Sequence, residues 1–166
     1  VGTSGLQGEH FGYLQDLSKI VPVIHASNTS IGANLVAMMA ARAAKILQGY
    51  DIEIIEAHHK HKKDAPSGTA LMMGQKIADE LGVDFTKKAV FDGAKRGERQ
   101  DGEIGFSSIR GGGIVGDNEV LFAGENEIVT FSCKTISRKA FAEGALFVAG
   151  WLKDKNAGLY SMEDIL

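Results

Sequence analysis

The stretch from Asp51 to Gly82 constrains the fold most, because its hydrophobic period changes within one continuous segment. Asp51 to Ala57 alternates into the apolar run Ile52, Ile54, Ile55, which predicts a strand. Ser67 is a suitable N-cap, and Leu71, Gly74, Ala78 and Leu81 follow on one helical face. Gly82 then fits the residue that closes a helix. Between strand and helix lies His58-His59-Lys60-His61-Lys62-Lys63-Asp64-Ala65-Pro66, in which three of the chain's five histidines and three lysines fall within six consecutive residues. A strand that feeds a helix through such a loop places the loop where α/β folds hold ligands.

The remaining pattern builds a layer around this unit. Residues 9–19 are a helical candidate, and Val21 to Ala26 reads as a short strand with Pro22 near its start, where a lost donor matters least. Ser27-Asn28-Thr29-Ser30 supplies caps for a helix to about Gln48, with Leu35, Met39, Ala43 and Ile46 on its expected buried stripe. Residues 84–101 carry many charges and little period and read mainly as a loop. Strands are predicted over Glu103–Arg110, Val120–Ala123 and Glu127–Thr135, separated by Gly111-Gly112-Gly113 and Gly116-Asp117-Asn118. A last long helix over 138–153 would bury Phe141, Ala145, Val148 and Leu152, and residues 161–166 add a further turn. The order predicts an α+β, or mixed α/β, fold: a mixed sheet of about four strands with helices on one face. The other face, with Thr130 and Ser132, suits burial against another subunit.

With 166 residues, 44% hydrophobic and 23% charged, the chain has the composition of a globular domain. A net charge of −3 gives no global attraction to nucleic acid or anionic membrane, so the basic cluster is local. No apolar run approaches the ~18 residues of a membrane span, and no signal peptide is visible. One cysteine, Cys133, excludes an intrachain disulfide and fits a reducing cytoplasm. Val1-Gly2-Thr3-Ser4-Gly5 reads as the tail of a buried strand entering a glycine-rich turn, so a further N-terminal part is expected.

The His/Lys loop admits three readings. A metal site lacks an obvious carboxylate or thiolate partner, and flanking lysines oppose a dication. A solvated basic loop without a role is the ordinary fate of charge runs. The third is a site that binds an anion and moves protons. Unpaired N–H groups and the partial positive charge of a helix start favour a carboxylate or phosphate, Gly68 permits close approach, and Ser67 and Thr69 add hydroxyls. Histidine titrates near neutrality, and Lys62 can hold a carboxylate or give a proton. Arg110 suits either an interface or a charge partner.

Glu56-Ala57-His58-His59-Lys60-His61-Lys62 followed by Asp64-Ala65-Pro66-Ser67-Gly68-Thr69-Ala70 resembles, without a gap, the signature of the bacterial dihydrodipicolinate reductase family. Val1 to Gly5 is similar to that family's G-T-T-G turn, and Ala26-Ser27-Asn28-Thr29-Ser30-Ile31-Gly32 to its hinge. Gly105 to Arg110, Gly112 and Ile114-Val115-Gly116 resemble its later sheet segment. The resemblance implies reduction of a cyclic, unsaturated imine dicarboxylate, 4-hydroxy-tetrahydrodipicolinate, by hydride from NADH or NADPH in lysine and diaminopimelate biosynthesis, in a cytoplasmic homotetramer. It implies His58 as proton donor and acceptor, Lys62 as a second proton donor, and His59 as a substrate contact. Ser67, Gly68 and Thr69 would bind a substrate carboxylate. Gly2, Thr3, Ser4, Ala26, Ser27, Asn28 and Thr29 would face the cofactor, and no metal is implied.

The family also begins with a strand and a G-x-G-x-x-G phosphate loop, and the glycine-rich segments here, around Gly2 and Gly111, do not follow the strand-to-helix pattern of that loop. The expected division is therefore 1–28 as a remnant of a Rossmann-type dinucleotide-binding domain and hinge, 29–140 as a substrate-binding and tetramerisation domain, and 141–166 as a helix and tail returning to the nucleotide-binding part. On that division the chain carries the substrate and proton-transfer half of a reductase. The competing reading is a non-catalytic module for oligomerisation or dicarboxylate binding.

Overall fold

A computed structural model describes residues 1–3, 6 and 8–166, with the backbone alone described at 94 and 96. The chain divides into two compact units, one formed by Val1–Asn34 with Arg138–Leu166 and the other by Leu35–Ser137.

The second unit is built on a five-stranded mixed sheet. Its strands are β2 (Asp51–His58), β3 (Ala89–Val90), β4 (Ile104–Arg110), β5 (Gly116–Ala123) and β6 (Ile128–Thr135), in the order β3-β4-β2-β5-β6. The pairs β3/β4 and β4/β2 are parallel, and β2/β5 and β5/β6 are antiparallel. Against one face lie α2 (Ile31–Ile46), which starts in the first unit and runs into the second, and α3 (Gly68–Leu81). The expected mixed α/β layer is found, with one strand more than expected. The extra strand belongs to residues 84–101, read as loop, which hold α4 (Phe85–Lys88), β3 and α5 (Gly93–Arg96). These elements are too short for periodicity to reveal.

The strand register arranges side chains into rows across the covered face. Ile104, Ile52, Phe122 and Val129 form one row, and Phe106, Ile54, Val120 and Phe131 the next. Ile52, Ile54, Ile104, Phe106, Val120 and Phe122 join Met73, Ile77 and the alanines of both helices in a single apolar core. The following row is polar: Ser108, Glu56, Asn118 and Cys133. One face of the sheet thus changes from core to site along the strands, at Glu56. The opposite face stays accessible at Ile109 and Ile128.

Two expected stripes are corrected. On α2 the buried residues are Asn34 and the alanines Ala33, Ala37, Ala40, Ala41 and Ala44, while Leu35, Met39 and Ile46 are exposed, the last by 82%. The small side chains let the helix lie close on a sheet already filled by Ile and Phe. On α6 (Lys139–Leu152) Gly144 and Val148 are buried, and Ala145 is exposed. The α3 stripe is centred on Ala70, Met73, Gly74, Ile77 and Ala78, with Leu71 and Leu81 at its margin. Gly82 ends α3 in the left-handed region at φ 69, its N–H reaching the carbonyls of Ala78 and Asp79.

The first unit contains α1 (Gly8–Ser18), α6, and a parallel pair of short strands, β1 (Pro22–Ile24) and β7 (Gly158–Tyr160). Ile24, Ala26, Val148 and Met162 form its small core. Trp151 lies within α6, edge to face with Tyr160.

Gly74 lets α3 pack directly on the side chains of Phe106 and Phe85. A Cβ there would stand 2.5 Å from Phe106 Cζ and 2.9 Å from Phe85 Cε2. Alanine is favoured over glycine inside a helix by up to ~1 kcal/mol, but overpacking a filled core costs ~1–3 kcal/mol. Gly74→Ala is therefore expected to lower stability by about 1 kcal/mol or more in urea unfolding, against its helix propensity.

Candidate functional site

At the end of β2 the strand delivers Glu56 and His58, two residues apart, to the covered face. Glu56 is 1% exposed. Its Oε1 accepts from Arg110 Nη2 at 2.6 Å and from the Ser67 N–H at 3.2 Å. Its Oε2 accepts from Arg110 Nη1 at 2.8 Å and meets His58 Nδ1 at 2.5 Å. The parallel register sets Arg110 directly beside His58, so the guanidinium reaches across to grip the carboxylate as a fork. Arg110 Nη2 also donates to the Asp64 carbonyl at 2.7 Å, tying the basic loop to the sheet.

The loop is fixed at both ends. His58 O accepts from Gly111 N–H and Gly112 O from Lys60 N–H, so the β2 terminus pairs with the glycine turn after β4. Ser67 caps α3, its Oγ accepting from Ala70 N–H at 3.2 Å. With its own N–H on Glu56, Ser67 is largely committed to the fold. Gly68 has open space where a side chain would stand, and Thr69 follows in the first turn of α3. Lys62 pairs with Asp64 at 2.8 Å, its side chain 21% exposed. His59 lies in the same loop, its ring centroid 6.3 Å from that of His61. Gly116, at the start of β5, faces His58: a Cβ there would be 3.2 Å from Nε2.

The structure thus gathers His58, His59, Lys62, Ser67, Gly68 and Thr69 on one strand end, one loop and one helix start. Glu56, Arg110 and Gly116 complete that group; sequence reasoning gave Glu56 and Gly116 no role in it and left Arg110 between an interface and a charge partner, of which the structure shows the second. The alternation of β2 already set Glu56 inward with Ile52 and Ile54, a carboxylate on an apolar face that must find a partner. Among the described residues, no three His, Cys, Asp or Glu side chains are grouped to hold a metal ion.

The residues expected to face a cofactor lie in the first unit, except Ser4, which lies outside the described residues. Val1 O accepts from Ala26 N–H at 3.0 Å, and a Cβ on Gly2 would be 3.9 Å from Ala26 O and 4.0 Å from Thr29 Cγ2. Val1 and Gly2 therefore stand beside Ala26 and Thr29. Asn28 Oδ1 accepts from Ser30 N–H, and Thr29 Oγ1 donates to Phe141 O at 2.7 Å. Among the described residues, no helix is long and apolar enough to cross a membrane.

Burial alone would raise the Glu56 carboxyl, but hydrogen bonds from Arg110, Ser108 and His58 outweigh it and hold the group below the ordinary glutamate value. Asp64 is likewise held low, chiefly by Lys62. A carboxylate depressed in the folded state adds stability above its unfolded value of ~4.3, and that stability is lost as pH falls through the folded value. Urea unfolding should show this loss below pH ~4. Arg110→Ala should cost about 3 kcal/mol at neutral pH by leaving a buried charge unpaired, and should flatten that acid slope. A neutral-pH loss under about 0.5 kcal/mol, the size of an ordinary surface substitution, would contradict the pairing.

Known proteins resemble this chain over nearly its whole length. Residues 32–166 match the family described as dihydrodipicolinate reductase, C-terminus. The 4-hydroxy-tetrahydrodipicolinate reductase of Rickettsia rickettsii (strain Sheila Smith) is 44% identical over 165 residues, covering 99% of this chain and 67% of that protein. The enzyme of the same name from Polynucleobacter necessarius subsp. necessarius (strain STIR1) is 48% identical over 168 residues, covering 100% of this chain and 63% of that protein. A solved structure, dipicolinate-bound dihydrodipicolinate reductase from Paenisporosarcina sp. TG-14, superposes with a TM-score of 0.76 at 33% identity, over 99% of this chain and 63% of that one. The chain spans about two thirds of the length of these relatives. With the family match covering most of its residues, the chain belongs to the dihydrodipicolinate reductases, as their C-terminal portion.

Proposed function

We propose that the chain carries the substrate-binding and proton-transfer half of a 4-hydroxy-tetrahydrodipicolinate reductase, which reduces its cyclic dicarboxylate to tetrahydrodipicolinate with NADH or NADPH. The observation that carries this reading is the gathering of His58, Lys62 and the open start of α3 around one short loop, in a chain like a reductase whose structure holds dipicolinate. A dianionic substrate needs cations and N–H donors at two points. The start of α3 at Gly68 and Thr69, next to Ser67, takes one carboxylate. His59 and Lys62 supply positive charge and hydrogen-bond donors around the rest of the ring. His58 and Lys62 exchange protons with it, so that the charge left by reduction is neutralised where it forms.

NADH or NADPH supplies the hydride. Gly2, Thr3, Ser4 and Ala26 to Thr29 are assigned to its nicotinamide end, and the adjacency of the Gly2 turn to Ala26 and Thr29 supports one shared wall there. In this reading 1–28 and 141–166 belong with the nucleotide-binding part, and 29–140 forms the substrate domain. Its open sheet face, carrying Ile109 and Ile128, packs against other copies in a homotetramer. The cytoplasm is the proposed location, in keeping with a lone cysteine.

Calorimetric titration of these 166 residues with pyridine-2,6-dicarboxylate should show weak binding, reduced about tenfold by Lys62→Ala through loss of one charged hydrogen bond. Identical affinities would remove Lys62 from the site. The 166 residues alone should not oxidise NADH or NADPH with substrate, and turnover by them would overturn the division of labour. In the full-length enzyme His58→Gln should lower kcat far more than it raises KM, the pattern of a group needed in the transition state. Unchanged kcat would remove His58 from the chemistry.

A further inference from the structure

We propose that Glu56 is a positioning residue for His58: it holds the Nδ1 hydrogen in every protonation state of the ring, so that Nε2 alone exchanges protons with substrate, across the space left by Gly116. The inference rests on the proton-transfer role given to His58 above.

Three observations carry it. First, the contact is one-sided. An ionised carboxylate only accepts, so a ring nitrogen 2.5 Å from Glu56 Oε2 must be the one bearing hydrogen. The Arg110 fork, at 2.6 and 2.8 Å, keeps the carboxylate ionised despite its burial. Second, a fold anchor would not need this contact. Oε1 and Oε2 already tie Glu56 to the Arg110 fork, and Oε1 to the Ser67 N–H, and Oε2 reaches the ring in addition. Third, the other ring nitrogen is left room. Gly116 is the residue opposite Nε2, and the Cβ of any other residue would stand 3.2 Å from it. When His58 takes a proton it goes to Nε2, and when it gives one it loses the same proton. The Nδ1–H bond and its partner stay intact throughout.

Glu56→Gln tests this, because the shape is kept and the chemistry reversed. Arg110 holds the amide oxygen, which turns the amide N–H toward Nδ1 and forces the hydrogen to Nε2. In serine hydrolases a buried carboxylate that sets a histidine tautomer is worth ~10⁴ in kcat. Here kcat of the full-length enzyme should fall ~10²-fold or more with KM changed only a few-fold. Nitrogen-15 spectra of the neutral His58 ring should show Nδ1 protonated in the wild type and Nε2 protonated in Glu56→Gln. A wild-type ring protonated at Nε2 overturns the proposal even if the variant does not fold. Gly116→Ala gives the complementary result: the Nδ1–H signal should persist while kcat falls. If His58→Gln leaves kcat intact, the proton role of His58 fails. If His58→Gln abolishes turnover while Glu56→Gln changes neither kcat nor tautomer, the positioning role alone fails.

Discussion

An ionised glutamate with almost no exposed surface sits where the apolar core of the sheet ends. Isolated in a protein interior such a charge is prohibitive, and it persists only with a matched cation and filled lone pairs. Arg110 provides the cation, and Ser108, the Ser67 N–H and the His58 ring add hydrogen bonds. The partners come from three places: β4, the cap of α3, and β2 itself. Satisfying one carboxylate therefore joins two parallel strands, a helix start and the loop between them. The loop's cationic residues are held in place by an interaction they do not themselves make.

The same geometry explains why a site exists at this end of the sheet. Toward the start of β2 the inward rows are Ile and Phe, which helices can cover without polar cost. From Glu56 onward the rows contain Ser108, Asn118, Arg110, His58 and Gly116. The helix that covers the apolar rows, α3, begins beside this region, so its N-terminus and the strand ends converge there. Parallel pairing of β2 with β4 is what brings Arg110 level with His58. An antiparallel partner would carry its chain end away to the other edge.

Much of this was legible in the sequence. The Ile52–Ile55 pattern, the Ser67 cap and Gly82 located β2 and α3, and the His/Lys loop pointed to the residues that the structure gathers beside them. The α2 stripe was not legible, because hydrophobic weight favoured Leu35, Met39 and Ile46 while packing distance favoured alanine. Periodicity says which residues share a face but not which face a crowded sheet can accept. The short elements of 84–101 were hidden for another reason. The stretch is tied to the sheet by contacts that pattern does not show: Arg99, near its end, donates to Glu53 Oε2 and to the carbonyls of Ile52 and Glu103.

Arg110 was the instructive ambiguity, since an arginine at a strand end has many uses. Its partner lay fifty-four positions away in the chain and next to it in the sheet. Glu56 stood inside the recognised motif, yet only the register shows that its two oxygens serve different ends. Arg110 grips both, while Oε1 alone takes the Ser67 N–H and Oε2 alone meets the His58 ring. The group that touches the His58 ring is thus the group that seats the start of α3. The residue proposed to transfer protons and the helix start proposed to take a carboxylate are therefore tied to a single side chain, and a change that frees one must also loosen the other.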